Sequence, residues 1–325
     1  MSSPASLADP IFILGILPRS GTNFLKGLLC LHPDCDASAP IPEDHLVHCA
    51  DLLVKYVNSV SWHWRPSWGA EGQKDVLCQY LGNGLVSFLT SQIGGDETQV
   101  KRRIVTKTPS VRNLGYFFRL FPRAHLLILV RDGRAVVESS VKSFGSNYET
   151  MMRHWADAAH TVLRFDQATQ SSDFKYLIVR YEDLWNNLEG ELRKIFAFLG
   201  LNAETYDFDA AANLPVRGSS EFRGLGEEAV HWKPVEKTPD FNPLLRWSHW
   251  GRALHERFHW IAGQYLVEFG YEEKQCSANR LLWLVWNTVL DIRWRVRDTV
   301  QRRIFEKLPV RIKVRIKRLF KKRIV

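Results

Sequence analysis

At 325 residues the chain is long enough for one large α/β domain or two small ones, and 45% hydrophobic with 24% charged residues is ordinary for a soluble globular protein. The net charge of +9 is uneven: residues 293–325 hold fourteen Lys/Arg against Asp298 and Glu306, which leaves the rest of the chain near neutral. Whole-chain basicity is therefore no argument for nucleic-acid binding. The five cysteines form no CxxC pair and no zinc spacing, so reduced, buried thiols are expected.

Ile11–Leu17 is almost wholly apolar, the pattern of a parallel strand covered on both faces. No Lys or Arg precedes it, and Asp9 and Pro10 stand directly before it, so it does not read as a secretory signal, and a cytoplasmic location is expected. The turn Pro18-Arg19-Ser20-Gly21 follows, then a helical stripe over Thr22–Leu31. Further strands are expected at Ile104–Thr106, His125–Val130 and Tyr176–Val179. Helices are expected at Arg134–Val141, Met151–Ala168, Leu188–Leu199 and Arg252–Phe269, the last two stopped by Gly200 and Gly270. Short apolar strands alternating with helices predict an α/β fold with a mostly parallel central sheet flanked by helices. The composition breaks near Cys276, which divides the chain into a domain at 1–275 and a Trp-containing, basic extension at 276–325. Leu281–Leu290 is too short an apolar run to span a bilayer.

In open α/β sheets ligands bind beyond the carboxyl ends of the strands, and PRSGTN (18–23) is the first loop there. Gly21 lets the backbone approach an anion, the amides of 19–23 face a helix N-terminus, and Arg19, Ser20, Thr22 and Asn23 add donors. A nucleotide kinase would need GxxxxGK[ST], and neither the Gly-Lys pair nor its spacing from Gly15 is present. In HLLILVRDGRAVVESS, Arg131 leaves a buried strand and Ser139 follows two helical turns later, so both can face one anion. The alternative is a structural ion pair between Arg131 and Asp132.

With these two segments, and with KTPS (107–110), FFRLFPRA (117–124) and LIVRYEDL (177–184), the chain resembles the PAPS-dependent sulfotransferases, and among them the tyrosylprotein and related bacterial branch. The resemblance implies a P-loop-like sulfotransferase fold and the co-substrate 3′-phosphoadenosine 5′-phosphosulfate (PAPS). It implies a 5′-phosphosulfate site at Arg19, Ser20, Gly21, Thr22 and Asn23, and a 3′-phosphate site at Arg131 and Ser139. A loop at Arg217-Gly218-Ser219-Ser220 would close over that phosphate, and Tyr181 would line the nucleotide site.

Sulfuryl transfer needs an in-line acceptor oxygen, positive charge on the leaving group and a base. Arg19 and Lys107 are the candidate cations, and sulfate carries little enough charge for them to serve without a metal. Cytosolic family members carry a His shortly after the corresponding Lys, where this chain has Pro109 and Ser110. The tyrosylprotein branch uses a Glu about two dozen residues past the phosphate loop. Glu43 is favoured for that role here, with Asp44 and His45 as rivals and a solvated acidic loop as the plain alternative.

Trp62, Trp64 and Trp68 lie in a polar stretch and suit stacking against a sugar or a phenol, or else pack under a loop. A saccharide or glycolipid hydroxyl is ranked first as acceptor and a tyrosyl or phenolic one second. The tail, apolar then cationic, suits an anionic membrane surface or a docked element with a solvated basic face, and Val310–Lys317 alternates like an extended arm. The competing function is an anionic-surface or nucleic-acid binding module with a vestigial nucleotide site. It explains the tail but leaves two phosphate segments and Lys107 unexplained.

Overall fold

The apolar run at Ile11 folds as strand β1 (Ile11–Gly15), with every residue buried. The computed structural model describes residues 9–37, 41–91, 103–215, 242–272 and 279–300 and the backbone of 301–307. After β1 come α1 (Thr22–Leu29), β2 (Cys35–Ala37), α2 (Ala50–Ser61), α3 (Gln73–Ser91), β3 (Arg103–Thr108) and α4 (Phe117–Leu120). β4 (His125–Val130), α5 (Gly133–Phe144), α6 (Tyr148–Thr169), β5 (Tyr176–Arg180), α7 (Tyr181–Asn186) and α8 (Leu188–Leu199) follow. The described helices end with α9 (Phe208–Ala212), α10 (Arg252–Glu268) and α11 (Arg280–Lys307).

The strands form one parallel sheet in the order β2-β3-β1-β4-β5. β1 is central, with Ile13 opposite Lys107 of β3 on one side and Leu127 of β4 on the other. Alternation along the strands divides the core. Phe12, Leu14, Leu126 and Ile128 face α2 to α6 and α10, whereas Ile11, Ile13, Leu127 and Leu129 face α1, α7 and α8. Phe12 anchors the first layer against the rings of Phe117 and Phe121, at centroid distances of 5.2 and 4.7 Å. Because the strands are parallel, the loops leaving β1, β3 and β4 open on the same edge of the sheet.

The α/β class and the parallel sheet agree with the sequence reading. Six elements escape it, the short helices α4 and α9 among them. β2 is a three-residue edge strand, and α7 is a single short helix tucked behind β5. α2 and α3 fill the stretch around the tryptophans, where Gly82 and Gly84 interrupt the pattern of α3. Gly82 has a packing reason, since a Cβ there would lie 1.9 Å from the backbone oxygen of Leu120. Among the thiols Cys35 and Cys78 are buried, but Cys49 is exposed at the start of α2, a correction to the expectation of uniformly buried cysteines.

The extension begins as α11, which docks through polar side chains. Arg257 of α10 donates to Asn287 and Asp291, Arg153 of α6 donates to Asp291, and Trp260 Nε1 donates to Asp291 Oδ2 at 3.0 Å. The expected arm at Val310–Lys317 lies outside the described residues.

Gly82→Ala must push α3 away from backbone rather than from a flexible side chain. We expect a loss of about 1–3 kcal/mol, read as a lower midpoint in denaturant melts. Gly84→Ala, where a Cβ meets nothing within 4 Å, should leave stability equal or slightly higher.

Candidate functional site

The loop after β1 turns through two residues of positive φ, Arg19 at 75° and Gly21 at 100°. A non-glycine residue held there stores about 1–3 kcal/mol of strain and persists only where its surroundings fix it. Here the Arg19 carbonyl accepts from Arg131 Nη1 at 2.7 Å, and Arg19 Nε donates to Ser139 Oγ at 3.0 Å. Gly21 sits against Tyr181, where a Cβ would meet the ring at 2.4 Å. That ring also lies under the Arg131 guanidinium, 4.4 Å from centroid to Cζ. The structure thus brings Arg19, Ser20, Gly21, Arg131, Ser139 and Tyr181 together, from β1, β4 and β5, at the carboxyl edge. Thr22 is buried in the first turn of α1, and Asn23 stands beside it.

Positive charge dominates this cluster. Burial, then Arg246 and Arg131, hold the Arg19 guanidinium down at about 9. Arg131 is buried, and its Nη2 donates to the Pro243 carbonyl. Arg131 Nε and Ser20 Oγ are buried without a hydrogen-bond partner among the described residues. Two orphaned donors next to crowded cations are what an anion would satisfy. The alternative pairing of Arg131 with Asp132 is not made. Asp132 caps α5 by accepting from the Arg134 amide and pairs with the Arg134 side chain at 2.7 Å. Glu182, the next carboxyl in reach, accepts from the Asp132 amide at 3.0 Å and from Tyr271 at 2.7 Å, while burial pushes its pKa up.

Sequence reasoning missed Arg246, whose Nη1 reaches Ser139 Oγ at 3.5 Å. It stands alone between Leu245 and Trp247 with no motif around it, so only the fold exposes it. Arg217, Gly218, Ser219 and Ser220 lie outside the described residues.

A second polar cluster sits at the end of β3. Lys107, 1% exposed, donates from Nζ to Glu43 Oε1 at 2.7 Å. Burial lowers the Lys107 pKa, and the Glu43 carboxylate opposes that shift. Lys107 is the penultimate residue of β3. Asp44, one position on, is spent on structure. It accepts from the hydroxyls of Thr106 at 2.6 Å and Thr108 at 2.9 Å and from the Leu46 amide at 2.7 Å, while its own amide donates to the Lys107 carbonyl. His45, at φ 52°, is about half exposed with Nε2 3.5 Å from Glu43 Oε2. Nearby, the imidazole of His48 is hydrogen-bonded to Ser110 at 2.9 Å.

Trp62, Trp64 and Trp68 are not core. Trp62 is 85% exposed at the end of α2, and Trp64 and Trp68 join Val76, Leu77 and Tyr80 in lining an open groove of about 390 Å³.

Comparison with known proteins identifies the family. A model of the sulfotransferase family matches residues 10–205. Protein-tyrosine sulfotransferase A of Caenorhabditis elegans is 26% identical over 206 residues, which are 59% of this chain and 50% of that protein. Protein-tyrosine sulfotransferase 1 of Danio rerio is 28% identical over 205 residues, 59% of this chain and 53% of that protein. The chain thus spans about half the length of these curated relatives. In fold it is similar to the sulfotransferase domain of the Synechococcus PCC 7002 olefin synthase, with a TM-score of 0.53 at 22% identity over 84% of this chain and 99% of that one. The family match takes in β1 to β5 with Arg19, Glu43, Lys107, Arg131, Ser139 and Tyr181, leaving Pro243, Arg246 and Tyr271 beyond it, and the chain belongs to the sulfotransferase family.

Proposed function

We propose that the chain transfers a sulfuryl group from PAPS to an acceptor hydroxyl. The observation that carries this reading is the cation cluster of half-buried Arg19 and buried Arg131, which holds orphaned donors and, among the described residues, makes no ion pair with a carboxylate. A bisphosphorylated nucleotide fits that chemistry. Arg19, Ser20 and the Gly21 turn, continuing to Thr22 and Asn23, would hold the 5′-phosphosulfate, and Arg131 and Ser139 the 3′-phosphate, with Tyr181 packed beneath. PAPS supplies the activated sulfur–oxygen bond. Everything else asked of the protein is position, charge and one proton.

Glu43 is the base in this reading. Asp44 is a poor rival, because its two carboxylate oxygens are already taken up by three hydrogen bonds that point it inward, away from an acceptor. Glu43 instead has Oε1 on Lys107 and Oε2 facing outward near His45. As the acceptor oxygen bonds to sulfur and the bond to the phosphate oxygen breaks, Glu43 takes the hydroxyl proton. Protonation weakens its hold on Lys107, whose charge then meets the negative charge growing on the leaving oxygen. Arg19 contributes from the loop side.

A peptide tyrosyl hydroxyl is the acceptor best supported, through the names of the relatives. That reverses the order drawn from the tryptophans alone. A saccharide remains the second reading because Trp64, Trp68 and Tyr80 line one open groove, a surface that stacks on flat rings of either kind.

Incubating the protein with PAPS and a tyrosine peptide, or with an oligosaccharide panel, and looking by mass spectrometry for the gain of one sulfuryl group tests the activity. No gain on any hydroxyl acceptor, with no calorimetric binding of the desulfated nucleotide, would overturn it. Arg131→Ala and Ser139→Ala should each weaken binding of that nucleotide by about 1.5–3 kcal/mol in calorimetry.

Lys107→Ala and Glu43→Gln should instead lower turnover by about 10²–10⁴-fold with nucleotide affinity nearly unchanged. Burial already lowers the Lys107 pKa, so activity should decline at high pH below the ordinary lysine range. Removing the Glu43 charge takes away the larger of the two carboxylate influences that raise it, the other being Asp44. The residual activity of Glu43→Gln should therefore decline at still lower pH, and an unmoved limb would separate Lys107 from the reaction.

Asp44→Ala leaves the buried hydroxyls of Thr106 and Thr108 without their acceptor. It should cost about 2–4 kcal/mol of stability in chemical melts, a loss that Glu43→Gln should not reproduce.

A further inference from the structure

Helix α11 is amphipathic in the inverted sense. Its polar side is turned into the protein, where Asn287 is 2% exposed and Asp291 accepts from Arg257, Arg153 and Trp260. Its apolar side faces outward. Leu282, Val285, Val289, Ile292, Val296 and Val300 recur every three or four residues, so they share one face, and each is between 48% and 64% exposed. Docking by the polar side leaves this stripe no place in the core.

We propose that the outward face of α11 is a docking surface for an anionic lipid membrane, with the helix lying in the plane of the interface. Charge selects this occupant. Arg293 and Arg297 flank the stripe on one edge and Arg295 on the other, all three exposed, where their guanidinium groups can reach lipid phosphates while the stripe enters the acyl boundary. The acids of residues 280–300 are Asp291 and Asp298, and both lie on the docked side. A second copy of the chain meeting this face would bring arginine edges together with no acid on the face to pair them. Beyond Val300 the sequence adds further Lys and Arg with Glu306 as the one acid, which strengthens attraction to an anionic surface and opposes self-association. None of the described helices is long and apolar enough to cross a membrane.

The test is sedimentation of the full chain with vesicles of phosphatidylcholine alone or with about 30 mol % phosphatidylserine, in about 0.1 M salt. We expect binding to the anionic vesicles and none to the zwitterionic ones. Val285→Asp/Val289→Asp/Ile292→Asp should lower partitioning about a hundredfold, with the far-UV spectrum and melting midpoint unchanged, because all three side chains are exposed. Arg293→Glu/Arg297→Glu should lower it at least about tenfold. Wild-type protein that ignores anionic vesicles would overturn the proposal. So would a triple variant that binds as well as wild type, which would assign any binding to tail charge alone. A lipid-free wild-type dimer that the triple variant turns into a monomer, with no vesicle binding by either, would give the face to a second copy instead.

Discussion

Holding Arg19 and Arg131 close together with no ion-paired carboxylate among the described residues is the constraint around which this site is arranged. The strands that end at the site are apolar almost throughout, so the polar atoms that support Arg19 and Arg131 must come from loops and helix starts. They are neutral atoms: the carbonyls of Arg19 and Pro243, the hydroxyl of Ser139 and the face of Tyr181. Carboxylates are close enough to have served. Asp132 adjoins Arg131 in sequence, and Glu182 accepts from its amide, but each is committed elsewhere, Asp132 to Arg134 and Glu182 to Tyr271. The same chain pairs Arg257 with Glu149 and Asp291. Among the described residues the missing counter-charge at Arg19 is therefore local, and it leaves a cluster whose repulsion an anion would relieve.

The second cluster follows the opposite rule. Lys107 is buried as deeply, yet it has a carboxylate at 2.7 Å, because the loop before α2 returns across β3. Asp44 pins that return to three consecutive residues of the strand, through two side-chain hydroxyls and one backbone carbonyl. Adjacent carboxyls thus acquire different characters from backbone direction alone. One points into buried hydroxyls and is saturated, and the other is left with a lysine on one oxygen and solvent on the second. A proton arriving on Glu43 changes the charge that Lys107 feels, so the two groups act as a unit rather than as separate contributors.

How much of this could be read from the sequence depends on the range of the signal. β4, His125–Val130, and α8, Leu188–Leu199, are legible to the residue, since a continuous apolar run and a terminal Gly200 are local signals. The turn after β1 is legible because Gly21 and Arg19 adjoin a buried strand. Arg246 is not, because its role arises from Ser139, more than a hundred residues earlier. Nor could the sequence choose between Glu43 and Asp44. Their difference is made by Thr106 and Thr108, whose hydroxyls face the loop only once β3 has joined the sheet. β2 is invisible for a similar reason: three residues, Cys-Asp-Ala, become a strand only by pairing with β3.

The tail shows why the two readings of its sequence were not exclusive. Apolar residues followed by basic ones suggested either a membrane arm or a docked element, as if docking had to use the apolar side. The helix docks instead through Asn287 and Asp291, and the arginines that receive them are themselves buried or half-buried on α10 and α6. α6 also carries Trp155, whose ring packs where a Cβ on Gly133 would fall and whose Nε1 donates to the Arg131 carbonyl at 3.3 Å. One helix therefore supports the backbone of the anion site at Trp155 and anchors the C-terminal helix at Arg153. Because these side chains sit two positions apart, they leave the helix on different sides. The fold can then turn the apolar stripe of α11 outward without drawing on the packing that holds Arg131 in place.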